Sequence, residues 1–153
     1  MKDWQEFVNR SPEEYNNWII NCSKEYEEFE IMFLIHISQK KRVIVDTNIS
    51  LDTLREIADY NHIVVMLSPQ SMSVQNFFDR NDSDKKFIKE QILKSENPKK
   101  TMENYLAGIA KINSRENYDK WLNSGFFTIV RENIEIDTKL ETLNKLAKHF
   151  KFE

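Results

Sequence analysis

Two short apolar runs constrain the fold of this chain more than any other feature. The first is Val43-Ile44-Val45 within residues 42–47, and the second is residues 62–67, which Pro69 stops. Neither run alternates between apolar and polar residues, which is typical of strands buried on both faces of a parallel sheet. Ser50 can cap a short helix between them. Strand, helix and strand fit within about 26 residues, which predicts a right-handed parallel crossover.

Helices are predicted on either side of these strands. Ser11, Pro12 and Glu14 form the capping pattern of a helix start, and apolar residues then recur at spacings of three and four up to about Gln39. The helix at 11–39 is either continuous or broken near Ser23. Further helices are predicted at 51–58, 71–80, 97–112 and 137–150, with a third strand at 126–130. Asn113 or Ser114 can restart the helix after residue 112 and extend it to Leu122. The fold class is therefore α/β, a small parallel sheet of about three strands flanked by helices.

We expect residues 1–153 to form a single domain. Its regions are a helical region (1–40), a strand-helix-strand-helix unit (41–80), a lid-like and helical region (81–124), and a strand with the C-terminal helix (125–153).

The chain has only 2 glycines, Gly108 and Gly125. Phosphate-binding loops need several glycines close together, because the backbone must turn sharply and approach the phosphates. An intact Walker-type loop and an intact dinucleotide fingerprint are therefore excluded. Gly125 is predicted to end a helix in the left-handed conformation, and Gly108 is predicted to allow close packing inside a helix.

Composition limits the expected partners and location. With 22 basic and 25 acidic side chains, the formal net charge is −3, so no general attraction to DNA or RNA is expected. The single cysteine, Cys22, excludes an internal disulfide and fits a reducing compartment. No apolar stretch resembles a signal peptide or is long enough to span a bilayer. We therefore expect a cytoplasmic protein that binds neither nucleic acid nor membrane.

Polar side chains follow both predicted strands of the crossover. Asp46 closes the first strand, and ligands of open α/β sheets bind outside such carboxyl ends. An acid there can hold Mg²⁺ through water or orient a hydroxyl nucleophile; alternatively, it caps the following turn. Ser68 and Gln70 follow the second strand, where they can touch a ligand or form a plain turn.

The densest charge cluster spans residues 79–86. Its cations Arg80, Lys85 and Lys86 suit phosphate oxygens, and a polar segment of this kind can close over a site. The alternative is a solvated turn with ordinary surface charges. The three histidines, His36, His62 and His149, lack metal-ligand spacing, and Cys22 is expected to be an inert core thiol.

Several segments together resemble P-loop nucleotide and nucleoside kinase-like proteins. They are residues 25–29 (EYEEF), 42–46 (RVIVD), 59–69 (DYNHIVVMLSP) and 78–80 (FDR). The resemblance covers nearly the whole chain and concerns the part of such kinases that follows the Gly-rich loop and its helix. It rests on the order of elements, because none of these segments is diagnostic alone.

The resemblance implies roles for particular residues. Asp46 would be the catalytic acid that supports Mg²⁺ or the phosphoryl acceptor. Arg80 would be a lid arginine, with Lys85 and Lys86 as auxiliary phosphate contacts. Residues 11–39 would bind the acceptor, and ATP with Mg²⁺ would be the cofactors.

The chain departs from this family because the Gly-rich loop, its lysine and its Ser/Thr magnesium ligand are absent. Without them, catalysis of phosphoryl transfer by this chain alone is not expected. The chain is then a fragment of a longer kinase, a short relative that lost catalysis, or an analogue at the level of fold.

Two other classes of function stay open. A non-enzymatic interaction module would use an uncovered sheet edge to pair with a protein partner or with a second copy. A small enzyme of another α/β family would use Asp46 as a base, although the sequence shows no nucleophile for it.

Overall fold

The computed structural model describes residues 3–68, 73–74, 76–79, 81–131 and 137–152. Within these ranges the helices are α1 (Trp4–Val8), α2 (Pro12–Ser38), α3 (Leu51–Ile57), α4 (Ser83–Leu93), α5 (Pro98–Ile112), α6 (Arg115–Leu122) and α7 (Lys139–Phe150). The strands are β1 (Val64–Leu67) and β2 (Phe127–Val130), and single 3-10 turns occur at Tyr60–His62 and Phe77–Asp79.

The long helix α2 begins with the capping box that the sequence predicts. The Ser11 hydroxyl accepts a hydrogen bond from the Glu14 N–H (3.2 Å), and the Glu14 carboxylate accepts one from the Ser11 N–H (2.8 Å). The backbone hydrogen bond from Ser11 holds the pKa of Glu14 below its ordinary value. Pro12 occupies the first turn, and the helix runs unbroken to Ser38, which confirms the helix predicted at 11–39.

The sheet consists of β1 and β2, which pair in parallel. The register runs from Val64 opposite Phe127 to Leu67 opposite Val130, and the Arg131 N–H extends the ladder by donating to the Leu67 carbonyl (2.8 Å). Helices α4 to α6 lie in the connection between the two strands. This confirms the α/β class with a small parallel sheet.

The predicted strand at 42–47 is wrong, so the described sheet has two strands where about three were expected. Residues 42–50 form neither helix nor strand, and Ile44 is 73% exposed although the run was expected to be buried on both faces. The segment is held against α2 instead, because the Thr47 hydroxyl donates to Glu30 (2.7 Å) and the Ser50 N–H donates to Glu27 (3.1 Å). A run of β-branched residues forms a strand only where a neighbouring strand is in place to pair with it.

The lysine-rich region after residue 81 is more regular than the sequence indicates. The Asp82 carboxylate accepts hydrogen bonds from the N–H groups of Asp84 (2.9 Å) and Lys85 (3.2 Å), and these bonds start α4. Ile92 of α4 is fully buried in the core. A helix therefore occupies much of the region that the sequence assigns to a lid.

The main core forms where the first half of α2 packs on α5. Its buried members are Phe7, Val8, Tyr15, Ile92, Tyr105 and Ile109. The hydroxyls of Tyr15 and Tyr105 lie 3.3 Å apart. Burial raises the pKa of both phenols, so both stay neutral at physiological pH.

Gly108 has the structural role predicted for it, whereas Gly125 has the predicted conformation but does not cap the helix. A Cβ atom added to Gly108 would lie 2.9 Å from Cδ1 of Tyr15, which confirms the close packing. Gly125 has a φ of 86°, which confirms the left-handed conformation, but α6 is capped by Asn123, two residues earlier. Neither glycine therefore belongs to a phosphate-binding loop.

Candidate functional site

The residues predicted at the strand ends are not held at one sheet edge. Asp46 is exposed within residues 42–50, so the strand that was to position it does not form. Ser68 is exposed directly after β1. Gln70 and Arg80 lie outside the described residues.

Lys85 and Lys86 lie in the first turns of α4 and have local partners. The Lys85 ammonium pairs with the Asp82 carboxylate and lies 5.5 Å from the centre of the Phe77 ring. The hydrogen bond from Lys85 also lowers the pKa of Asp82. Lys86 donates to the side-chain oxygen of Asn81 (2.6 Å). Within the described residues, no hydrogen bond or ion pair joins Asp46 or Ser68 to either lysine.

Nothing among the described residues suggests a metal centre. No group of three or more His, Cys, Asp or Glu side chains there is arranged to hold a metal ion. His149 instead stacks on the Phe127 ring, with ring centres 4.4 Å apart. The expectation that Cys22 is a core thiol is wrong, because Cys22 is exposed on α2.

Five large apolar side chains are exposed along the second half of α2, and four of them are neighbours on one side of the helix. These four are Tyr26 (68% exposed), Phe29 (62%), Met32 (64%) and Phe33 (57%), and we call them the apolar stripe. On a helical projection Tyr26, Phe29 and Phe33 continue the face that carries Tyr15 in the core. Among the described residues, no residue of α2 beyond Ile19 belongs to the core. This face of the helix is therefore packed in the core in its first half and exposed to solvent in its second half.

The other side of this half-helix is fixed to the rest of the chain. The Glu27 carboxylate accepts hydrogen bonds from the Ser50 N–H (3.1 Å), the Ser50 hydroxyl (3.2 Å) and the Thr53 hydroxyl. Partial desolvation raises the pKa of Glu27, but these hydrogen bonds outweigh it and the pKa lies below its ordinary value. The apolar stripe is thus presented by a helix with a defined orientation.

A groove of about 680 Å³ lies between α2, the segment at 43–45 and the end of α3. Leu34, Ile35, Val43, Val45 and Ile57 contribute its apolar lining. Leu34 lies well away from the apolar stripe on the helical projection. The groove is therefore a second surface and not part of the stripe.

Charges of opposite sign border the apolar stripe. Glu25 and Glu28 are exposed beside its first residues, and Lys40 and Lys41 are exposed just beyond the end of α2. Among the described residues, none of these four side chains has a partner in an ion pair. They are therefore available to a partner that docks on the stripe.

The sequence predicts that Tyr26, Phe29 and Phe33 share one apolar face of the helix at 11–39. Their spacing indicates an apolar helical face but not what covers it. The one signal of exposure in the sequence is the run of glutamates around them, at Glu25, Glu27, Glu28 and Glu30, since carboxylates rarely border a fully buried face.

The chain matches no family model, no curated protein and no solved structure. Among the described helices, none is both long enough and apolar enough to cross a membrane.

Proposed function

We propose that this protein is an interaction module that pairs with a second copy of itself through the apolar stripe of α2. The observation that supports the proposal is the exposure of four neighbouring large apolar side chains on one helix. The largest contiguous apolar patch on a monomeric protein is typically about 300–600 Å², and such a patch often has a function.

The apolar stripe is large enough to form the centre of an interface. Its side chains are 57–68% exposed, and a large side chain presents about 150–250 Å² in full, so the four present roughly 400–600 Å². A stable interface buries about 800 Å² on each partner, and somewhat more than half of that is apolar. The stripe therefore supplies most of the apolar area that such an interface needs.

The spacing of the stripe indicates that its partner is another helix. Tyr26, Phe29 and Phe33 are separated by three and four residues, which is the alternation that forms the seam between paired helices. The stripe is also straight along α2, since this helix has no break before Ser38.

The charges indicate that the partner helix is an antiparallel second copy. In an antiparallel crossing centred on the stripe between Tyr26 and Phe33, the acidic end that carries Glu25 lies nearest the basic end of the other copy that carries Lys40. Two symmetric pairs of opposite charge then flank the apolar centre, and such complementarity sets orientation and specificity. A parallel arrangement would instead place like charges together at both ends.

The proposal is tested by replacing Phe29 or Phe33 with glutamate. We expect the unchanged protein to approach twice the mass of one chain in sedimentation equilibrium as its concentration rises. A central aromatic residue contributes at least about 2 kcal/mol, and a two-fold interface loses it twice, so each variant should dissociate at least roughly five-hundredfold more readily.

Leu93→Glu is the matched control, because Leu93 is 60% exposed on α4 and lies outside the stripe. It should associate as the unchanged protein does, and circular dichroism should show that all three variants keep their helices. A mass of one chain at the highest attainable concentration would contradict the proposal. Equal dissociation of the Leu93 variant would contradict the assignment of the surface.

A nucleotide-binding role related to phosphoryl transfer is the second candidate function, and the parallel pairing of β1 and β2 favours it. Asp46, Arg80, Lys85 and Lys86 would then serve ATP and Mg²⁺, without catalysis by this chain alone. Titration of ATP–Mg²⁺ against the purified protein should show saturable binding that Arg80→Ala weakens. Absence of saturable binding would contradict this role.

A further inference from the structure

An open cleft of about 780 Å³ lies between β2 and α7. All four residues of β2 line one side, and the last two turns of α7 with the following residue line the other. Small-molecule sites commonly have volumes of about 300–1,000 Å³ and combine an apolar wall with a few polar groups. The cleft has both the size and the mixed lining of such a site.

The polar lining of the cleft is cationic. Lys145, Lys148 and Lys151 all line it. Lys145 also pairs with Glu141 (2.6 Å), whereas Lys148 and Lys151 form no ion pair within the described residues. Two ammonium groups are therefore available to an anion in the cleft. Lysine acts as a point charge towards phosphate groups.

The apolar wall of the cleft is held in place by His149. Its Nε2 lies 2.8 Å from the Ile63 carbonyl oxygen, and because a carbonyl only accepts, Nε2 carries the hydrogen. The imidazole is thereby fixed in a stack on Phe127, with an angle of 18° between the rings. Phe127 and Ile129 of β2 share one face of the strand and form the rest of this wall. A flat apolar group can lie against it without reorganising the site.

Lys151 has a left-handed backbone conformation, which glycine adopts more readily than lysine. Its φ is 54° and its ψ is 54°, the left-handed region, at the end of α7. Glycine or asparagine is usual there, because a Cβ atom is strained in this conformation. Strained positions cluster at binding sites, and here the strained residue supplies one of the two available ammonium groups.

We propose that the cleft between β2 and α7 binds a small phosphorylated molecule that carries a flat apolar group. Its phosphate lies between Lys148 and Lys151, and its flat group lies against the β2 wall. The site is distinct from Lys85 and Lys86 on α4, and it does not depend on self-association through α2.

Phenyl phosphate is the probe, with inorganic phosphate and benzyl alcohol at the same ionic strength for comparison. In a nuclear magnetic resonance titration, phenyl phosphate should shift the amides of residues 127–130 and the His149 ring in a saturable manner. It should bind more tightly than either simpler probe, because each supplies one half of the recognition. Lys148→Gln should weaken its binding about tenfold.

Lys151→Gly separates loss of binding from loss of folding. It removes an ammonium group and relieves the left-handed strain, so the affinity should fall about tenfold while the melting temperature rises by about 2–4 °C. Lys89→Gln, at an exposed position on α4, should bind phenyl phosphate as the unchanged protein does. Unsaturable shifts, or binding lost in the Lys89 variant and kept in the cleft variants, would overturn the proposal.

Discussion

At Gly108, two opposing effects decide the result of adding one methyl group. Replacing glycine with alanine inside a helix ordinarily stabilises by about 1 kcal/mol. Here, however, the new Cβ would lie 2.9 Å from Cδ1 of Tyr15, whose ring is buried in the core. Overpacking a core costs about 1–3 kcal/mol. We therefore expect Gly108→Ala to lower the free energy of unfolding by about 1 kcal/mol net, as measured by urea denaturation.

The sign of this change separates the two effects, since helix propensity alone would make the variant more stable. Ala107→Gly is the matched control, because Ala107 is exposed on the same helix and its replacement should lose about 1 kcal/mol through propensity. A Gly108 variant more stable than the unchanged protein would show that α2 and α5 do not approach this closely.

Residues that act locally are the ones that could be predicted from sequence. The Ser11 cap and the left-handed Gly125 depend only on their own backbone and on side chains a few positions away. The exposure of Cys22 could not be predicted in this way, because its position on an apolar helical face does not show whether another element packs against it. The same limit applies to Tyr26 and Phe29, which the pattern places on that face without indicating what covers them.

At the scale of elements, Glu27 joins the second half of α2 to α3. Its carboxylate accepts from the Ser50 N–H and from the Thr53 hydroxyl, so one side chain of α2 supports the N-terminus of α3. We expect Glu27→Ala to speed amide hydrogen exchange in α3 about fivefold, corresponding to about 1 kcal/mol for hydrogen bonds to a charged acceptor near the surface. Exchange in the core amides of α5 should not change.

Glu28→Ala is the control, since Glu28 is exposed on the same helix. The stability that the Glu27 hydrogen bonds give to α3 should also depend on pH. Because the pKa of Glu27 is below its ordinary value of 4.5, its contribution is present at neutral pH and is lost as the pH falls through the lowered pKa. Exchange in α3 that does not respond to either Glu27→Ala or acid would contradict this role.

Elements differ in how far the sequence predicts them. Helices α2, α5 and α6 are capped by Ser11, Asn97 and Ser114, whose side chains each accept a backbone hydrogen bond, so local signals located them. Helix α4 was missed because lysines obscure its few apolar positions. The strand at 42–47 was predicted wrongly because strand formation requires a neighbour, and the hydroxyls and amides that follow it bond to α2 instead.

At the scale of the whole molecule, the candidate site depends on where the core ends. The core takes up the first half of α2, the loop and α3 cover one side of its second half, and the opposite side stays bare. Residue patterns do not show which part of α2 is covered, because the apolar residues of this helix have the same spacing inside the core and beyond it. Only tertiary structure distinguishes a buried face from a surface for a partner.

The antiparallel pairing proposed for α2 predicts the outcome of exchanging charges between its two ends. In Glu25→Lys, both pairs of opposite charge become pairs of like charge, and Lys40→Glu has the same effect with the opposite sign. Each variant alone should dissociate roughly tenfold more readily, as two exposed pairs contribute up to about 1 kcal/mol each. Sedimentation equilibrium at low salt measures this change.

Mixing the two variants should restore association, since each lysine then faces a glutamate at both ends of the mixed dimer. Glu90→Lys makes the same charge change at an exposed position on α4 and should associate as the unchanged protein does. Raising the salt concentration should reduce the differences between variants, because exposed charges are screened over about 10 Å at 0.1 M. In a parallel dimer, Glu25→Lys would leave like charges facing each other as before, so unchanged association of that variant would exclude the antiparallel arrangement.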